Sequence, residues 1–266
     1  MRIALLAPTN SSLYSRLLAE SILRTEGLEL EVIVVRRMIS WKRLRGELRR
    51  DGPRLVQKIT QKLVLGEERK TEHEEESLAA LARQLELSSP SLQKMAKLHG
   101  VPFLVAPDHN HPRVEARLRD IAPDVIVFSG GGLIRKNILS IPQKGILNCH
   151  AGLLPPYRGM DVVEWAVLEA EAKPPQIGLT CHFMDKGVDT GPILQTHTLQ
   201  VRKGDNFTAI RRRLQPLMVQ LMMSTLVGLE QEALVPQPQA GHDGRQYFVM
   251  HPRMKQLAAF RLDELT

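Results

Sequence analysis

Seven short runs rich in Val, Ile and Leu, at residues 3–7, 31–35, 103–106, 124–129, 145–150, 178–184 and 192–201, alternate with longer amphipathic stretches. Apolar runs of this kind become strands covered on both faces, and helices between them act as crossovers. The pattern therefore predicts an α/β fold with a mainly parallel sheet flanked by helices. The last two runs meet at Lys186-Gly187-Val188-Asp189-Thr190-Gly191, whose glycines permit a tight reversal, so these two strands are expected to pair antiparallel.

Helices are expected at 13–26 behind an N-cap at Ser11 or Ser12, at 113–121 behind Pro112, and at 162–172 after Asp161. A long one at 207–230, capped by Asp205, carries Leu214, Leu217, Leu221 and Leu226 at near-helical spacing and should close one face of the sheet. Residues 38–100 are charged and helical in pattern, and far longer than an ordinary crossover; they read as a basic helical insertion after strand 2. The expected organisation is a catalytic unit at 1–235 containing that insertion, and a C-terminal tail at 236–266 with a short helix at 254–265.

The net charge of +7 is unevenly placed. Positions 36 to 70 hold twelve basic and four acidic residues, a net of +8, which leaves −1 for the remainder. The basic character thus belongs to one segment, either a solvated helical pair or a docking surface for an acidic partner, and does not mark the whole protein as a nucleic-acid binder. No apolar run nears the roughly 18 residues a membrane span needs, and the start of the chain is too short and unflanked for a signal peptide, so a cytoplasmic location is expected. Two cysteines, Cys149 and Cys181, are too few for a disulfide scaffold or a structural zinc site.

The segment from Gly145 to Gly159 runs from an apolar strand through Asn148, Cys149 and His150 into a Pro/Gly-rich loop. In open α/β sheets ligands bind at the carboxyl ends of strands, which is where Asn148 and His150 fall. Strand alternation turns these two to one side and Cys149 to the other, which disfavours a Cys149–His150 nucleophile pair. The same argument separates Cys181 from His182. A second segment, Gly178 to Pro192, ends in a glycine-rich turn carrying Asp185 and Asp189; a carboxylate beside an imidazole sets its tautomer and raises its pKa. Asp108-His109-Asn110-His111 is too local for a metal ligand set and reads as loop or cap, so no metal is expected. The first βα turn, Ala7 to Ser12, lacks the dinucleotide and phosphate-loop glycine patterns. Its Asn10, Ser11 and Ser12 either hold a substrate anion at the helix N-terminus or cap the helix.

Asn148-Cys-His150-x-x-Leu-Leu-Pro155-x-x-Arg158-Gly159, followed by His182-Phe-x-x-x-x-Val-Asp189-x-Gly191-Pro, closely resembles the folate-dependent formyltransferase family, over roughly residues 1–35 and 101–230. The family includes glycinamide ribonucleotide, methionyl-tRNA and sugar-nucleotide formyltransferases. The resemblance implies a Rossmann-like formyltransferase fold and transfer of the formyl group of 10-formyltetrahydrofolate, the donor co-substrate, to a primary amine. It places the catalytic residues at Asn148, His150 and Asp189, with Asp189 keeping His150 charged. The pterin contacts fall on Gly132, Leu133, Ile134 and Leu139 and on Met184, Asp185, Lys186, Gly187 and Val188. Substrate contacts fall on His182 and Arg158, the latter either meeting an anion or anchoring its loop.

The chain also departs from the family. Ala151 and Gly152 stand where relatives commonly carry a serine, and the first loop lacks the glycines of the ribonucleotide enzymes. Too few residues follow Leu229 for the C-terminal barrel of methionyl-tRNA enzymes, which ranks tRNA below a small-molecule amine such as an amino sugar nucleotide or amino acid derivative. The alternatives, in order, are a methionyl-tRNA formyltransferase-like enzyme, a 10-formyltetrahydrofolate hydrolase, and a non-catalytic protein binding an acidic partner through 36–70.

Overall fold

The computed structural model describes residues 1–37, 74–87, 89–171, 174–240 and 243–265. Its main sheet has seven strands in the order β3-β2-β1-β4-β5-β7-β8. These are β1 (Arg2–Ala7), β2 (Glu29–Arg36), β3 (Phe103–Ala106), β4 (Val125–Phe128), β5 (Gly145–His150), β7 (Ile177–Phe183) and β8 (Ile193–Leu199). The first five are parallel to one another. β7 runs against both β5 and β8, so the expected antiparallel pair is present and the reversal extends to β5 as well.

Alternation along β1 sorts the core into two layers. Ile3, Leu5 and Ala7 face α1 (Leu13–Arg24) and the long α7 (Phe207–Glu230), joining Leu17, Leu18, Ile22, Leu214 and Leu226. Ala4 and Leu6 face the other layer, with Val114, Leu118 and Ile121 of α4 (Pro112–Ile121) and Ile138 of the short α5 (Lys136–Leu139). Most of these side chains are fully buried, as a sheet covered on both faces requires.

The cap of α7 differs from expectation. Asn206 accepts from the N–H of Ala209 at 2.9 Å, while Asp205 turns inward, 4% exposed, onto the equally buried Arg213 at 3.0 Å. A buried guanidinium draws the carboxylate more strongly than an exposed helix end does.

Residues 38–73, which include all the basic residues of the 36–70 run except Arg36 and Arg37, lie outside the described residues. The chain continues with a 3-10 turn at Glu74–Glu76, α2 (Leu78–Gln84) and α3 (Leu92–His99), and both helices pack on α1. Arg202 grips the Glu76 carboxylate with two 2.7 Å bonds, tying this stretch to the end of β8.

The tail is more ordered than its lost periodicity suggested. β9 (Arg245–Tyr247) lies parallel to β6 (Tyr157–Gly159) in a second, two-stranded sheet, and α8 (Pro252–Leu265) packs on α6 (Val162–Leu168). Three-residue strands are too short to leave a periodic signal. No helix of the described residues is long and apolar enough to cross a membrane.

Candidate active site

The antiparallel register of β5 and β7 sets Asn148 opposite His182 and His150 opposite Thr180, so these four side chains share one face of the sheet. Cys149 and Cys181 pair on the other face, within the apolar core. There burial pushes the Cys181 thiol up to about 12 and the Cys149 thiol well above its ordinary value. Neither forms the thiolate a nucleophile needs.

The shared face converges on Asp189, which the β7–β8 turn holds with φ +53°, a left-handed conformation that aspartate tolerates better than most residues. One carboxylate oxygen, Oδ2, accepts the N–H of Gly159 at 2.9 Å and lies 3.4 Å from His150 Nδ1; the other, Oδ1, lies 3.5 Å from His182 Nε2. Asn148 Nδ2 lies 3.2 Å from that same Nε2. His182 Nδ1 is 2.9 Å from the carbonyl of Phe183, and a carbonyl only accepts, so this nitrogen carries a proton. Nε2 sits between the Asn148 amide and the Asp189 carboxylate, and an Asn148 N–H stays available.

His150 is 8% exposed, with Nε2 2.9 Å from the Tyr157 carbonyl. Its proton therefore sits on Nε2, and Nδ1 faces Asp189. Burial pushes the His150 pKa below its usual value, against the opposing pull of Asp189 and the Tyr157 carbonyl. Burial thus works against the charge that Asp189 is expected to keep on His150. With a proton on Nε2, the ring turns Nδ1 toward the carboxylate. Burial would raise the Asp189 carboxyl, but the hydrogen bond from His182, the proximity of His150 and the Gly159 N–H outweigh it, and the group lies below its ordinary value.

Most of the other expected contacts have structural partners of their own. Arg158 is 5% exposed, and its guanidinium donates to Gln239 Oε1 at 3.1 and 3.3 Å and to the Ala240 carbonyl at 3.4 Å. These bonds anchor its loop. Asn10 accepts from the N–H of Gln93 at 2.9 Å, binding the first loop to α3, and Ser12 caps α1 through the N–H of Ser15 at 3.3 Å. Of that trio only Ser11 is exposed. His109 reaches the Ala7 carbonyl at 3.1 Å and His111 caps α4, the loop and cap duties expected of them. Among the described residues no group of three or more His, Cys, Asp or Glu is placed to hold a metal ion.

Along the expected pterin contacts, Ile134, Leu139 and Met184 pack against one apolar cluster, while Leu133 is 82% exposed. Asp185 accepts from the N–H of Gly187 at 2.9 Å and the hydroxyl of Thr190 at 2.6 Å, closing the turn that carries Asp189. Lys186, Gly187 and Val188 are exposed at its tip. Thr180 clamps the loop after β5, donating to the Gly152 carbonyl at 2.8 Å and accepting from the N–H of Leu154 at 3.0 Å.

Three contributors escaped the sequence reading: the Tyr157 carbonyl, the Gly159 N–H and the Gln239 side chain. The first two are backbone groups, which residue type does not reveal. Gln239 lies in a stretch with no pattern of its own.

Methionyl-tRNA formyltransferase of Trichlorobacter lovleyi is 33% identical over 158 residues, 59% of this chain and 49% of that protein. Its counterpart from Thermosynechococcus vestitus is 34% identical over 157 residues, 58% of this chain and 46% of that one. The chain thus spans about half the length of the curated relatives it matches. Among solved structures, phosphoribosylglycinamide formyltransferase from Bacillus halodurans superposes with a TM-score of 0.56 at 19% identity, covering 88% of this chain and 97% of that one. A sugar N-formyltransferase from Shewanella gives 0.57 at 12% identity, covering 98% and 87%. These two share the fold. The formyl transferase family model matches residues 1–226, and the chain belongs to that family.

Proposed function

We propose that the chain is an N-formyltransferase that moves the formyl group of 10-formyltetrahydrofolate to the primary amine of a small metabolite, an amino sugar nucleotide or an amino acid derivative. The observation that carries the reading is the convergence of Asn148, His150 and Asp189 on one face at the β5–β7 junction of a formyl transferase chain.

On this reading the neutral amine attacks the formyl carbon, and the carbonyl electron pair moves onto oxygen. The free Asn148 N–H donates to that oxyanion, a contribution of about 3–4 kcal/mol for one well-placed donor. The amine nitrogen gives up a proton to the Asp189–His150 pair, whose Nδ1 receives it. The bond from the formyl carbon to N10 of the folate then breaks, and the proton passes to N10. Pterin binding falls along residues 132–134, Leu139 and the 184–188 turn, where Ile134, Leu139 and Met184 supply apolar surface.

A neutral catalytic unit suits a small acceptor: outside positions 36–70 the formal charge sums to −1. A second reading, methionyl-tRNA as acceptor, is favoured by the 31–34% identity to proteins of that name and by the basic run itself. A screen of amines, methionyl-tRNA included, incubated with 10-formyltetrahydrofolate and read by folate product and acceptor mass together, tests both. A formylated small amine supports the first reading, and formylation of tRNA alone supports the second. Steady formate release with every acceptor untouched overturns both in favour of hydrolysis.

A further inference from the structure

We infer that Gln239, in the tail beyond the residues matched by the family, is the positioning residue that holds the Asp189 turn against His150. Its side-chain amide donates to the Asp189 carbonyl at 3.1 Å and the Gly191 carbonyl at 2.6 Å, one on each side of Thr190. Its carbonyl oxygen accepts from the buried guanidinium of Arg158. Arg158 lies in β6 between Tyr157, whose carbonyl holds His150 Nε2, and Gly159, whose N–H holds Asp189 Oδ2. A single amide therefore joins the turn that carries the carboxylate to the strand that grips both members of the pair.

The tail is fixed to that strand closely enough to transmit the constraint. Backbone bonds between Gln237 and Ile193, at 2.7 and 2.8 Å, seat it beside the start of β8. β9 pairs with β6, and the Tyr247 ring stacks on Tyr157 with centroids 5.6 Å apart. At Gly159 a Cβ would fall 2.2 Å from the Tyr247 carbonyl oxygen, an approach only glycine allows. Asp189 faces two imidazoles across gaps of 3.4 and 3.5 Å, so a small displacement of its turn changes both interactions.

The placement stands on geometry; only its consequence for turnover rests on the reading of the pair as catalytic. The test uses the full chain labelled with 15N-histidine, its imidazole spectra followed through a pH titration. The His150 signals are those lost in His150→Gln. The groups that face His150 are Asp189 from the turn, His182 from β7 and the Tyr157 carbonyl from β6. Withdrawal of Asp189 removes the principal pull toward the charged form. Gln239→Met, which keeps the bulk but neither donates nor accepts, should lower the His150 midpoint by about half a pH unit or more.

Tyr247→Phe removes a tail bond to Glu169 and leaves the turn untouched, so it should cost stability without moving that midpoint. An unmoved His150 in a folded Gln239→Met protein overturns the inference, and so does an equal shift in Tyr247→Phe. Should the Met variant fail to fold, Gln239→Asn, one methylene shorter, is expected to move the midpoint the same way by less, and its failure to do so is equally decisive. Normal turnover in Asp189→Ala would instead sink the catalytic reading and leave the titration result standing.

Discussion

Replacing Gly152 by alanine probes how tightly His150 is held. A Cβ there would lie 2.7 Å from Val162 Cγ2, 2.9 Å from His150 Nε2 and 3.1 Å from the Tyr157 carbonyl oxygen, inside contact on three sides. The Thr180 clamp fixes the backbone at Gly152, so the side chains must give way. Overpacking of this kind costs about 1–3 kcal/mol. Displacing His150 also breaks its bond to Tyr157, worth about 1 kcal/mol net, for a total of about 2–4 kcal/mol. At about 2–4 °C per kcal/mol for a chain of this size, the melting temperature followed by circular dichroism should fall by about 5–15 °C. The His150 imidazole signals should move with it. A variant that melts within about 2 °C of the parent, with those signals unchanged, would refute the packing argument.

Three further outcomes rest on the same geometry, and a fourth on the charge of the 36–70 run. Because burial holds His150 below its ordinary 6.5, the unfolded chain binds a proton there that the folded chain refuses; stability should fall as pH drops from 6.5 toward the folded midpoint, and His150→Gln should flatten that part of the melting curve. Asp189, held below its ordinary 3.8, contributes stability that is present above that value and lost as pH falls through its folded midpoint; in acid melts Asp189→Asn should lose this dependence. Arg213→Met leaves the buried Asp205 carboxylate with the Arg202 N–H but without its cation and should cost about 3–5 kcal/mol in urea unfolding, with part of the loss recovered by adding Asp205→Asn. If tRNA is the acceptor and its phosphates meet six or more basic side chains of the 36–70 run, affinity should drop about 10³-fold between low and moderate salt, whereas a small acceptor should show a flat Michaelis constant.

The order of the sheet's apolar runs was legible because buried strands read as continuous Val/Ile/Leu segments, and the β7–β8 reversal because its glycines mark it. Strand alternation alone separated Asn148 and His150 from Cys149, and the register of β5 with β7 bears that out. Hidden were effects that depend on partners far along the chain. Asp205 left its cap for Arg213, and Arg158 turned from the candidate site to Gln239, 81 positions away. The opposing push of burial on His150 was hidden because a neighbouring carboxylate can be read from a motif, while the depth at which the pair is buried cannot. β6 and β9 escaped notice because each has three residues and its partner lies in a different part of the sequence.

The most direct test of the central claim is the turnover of formyl transfer from 10-formyltetrahydrofolate by the parent chain and by Asn148→Ala, His150→Ala and Asp189→Ala, each first shown to be folded. The account expects each variant to lose at least about a hundredfold, the scale of one well-placed donor or proton acceptor in a preorganised site. Near-normal turnover in two of the three would contradict it.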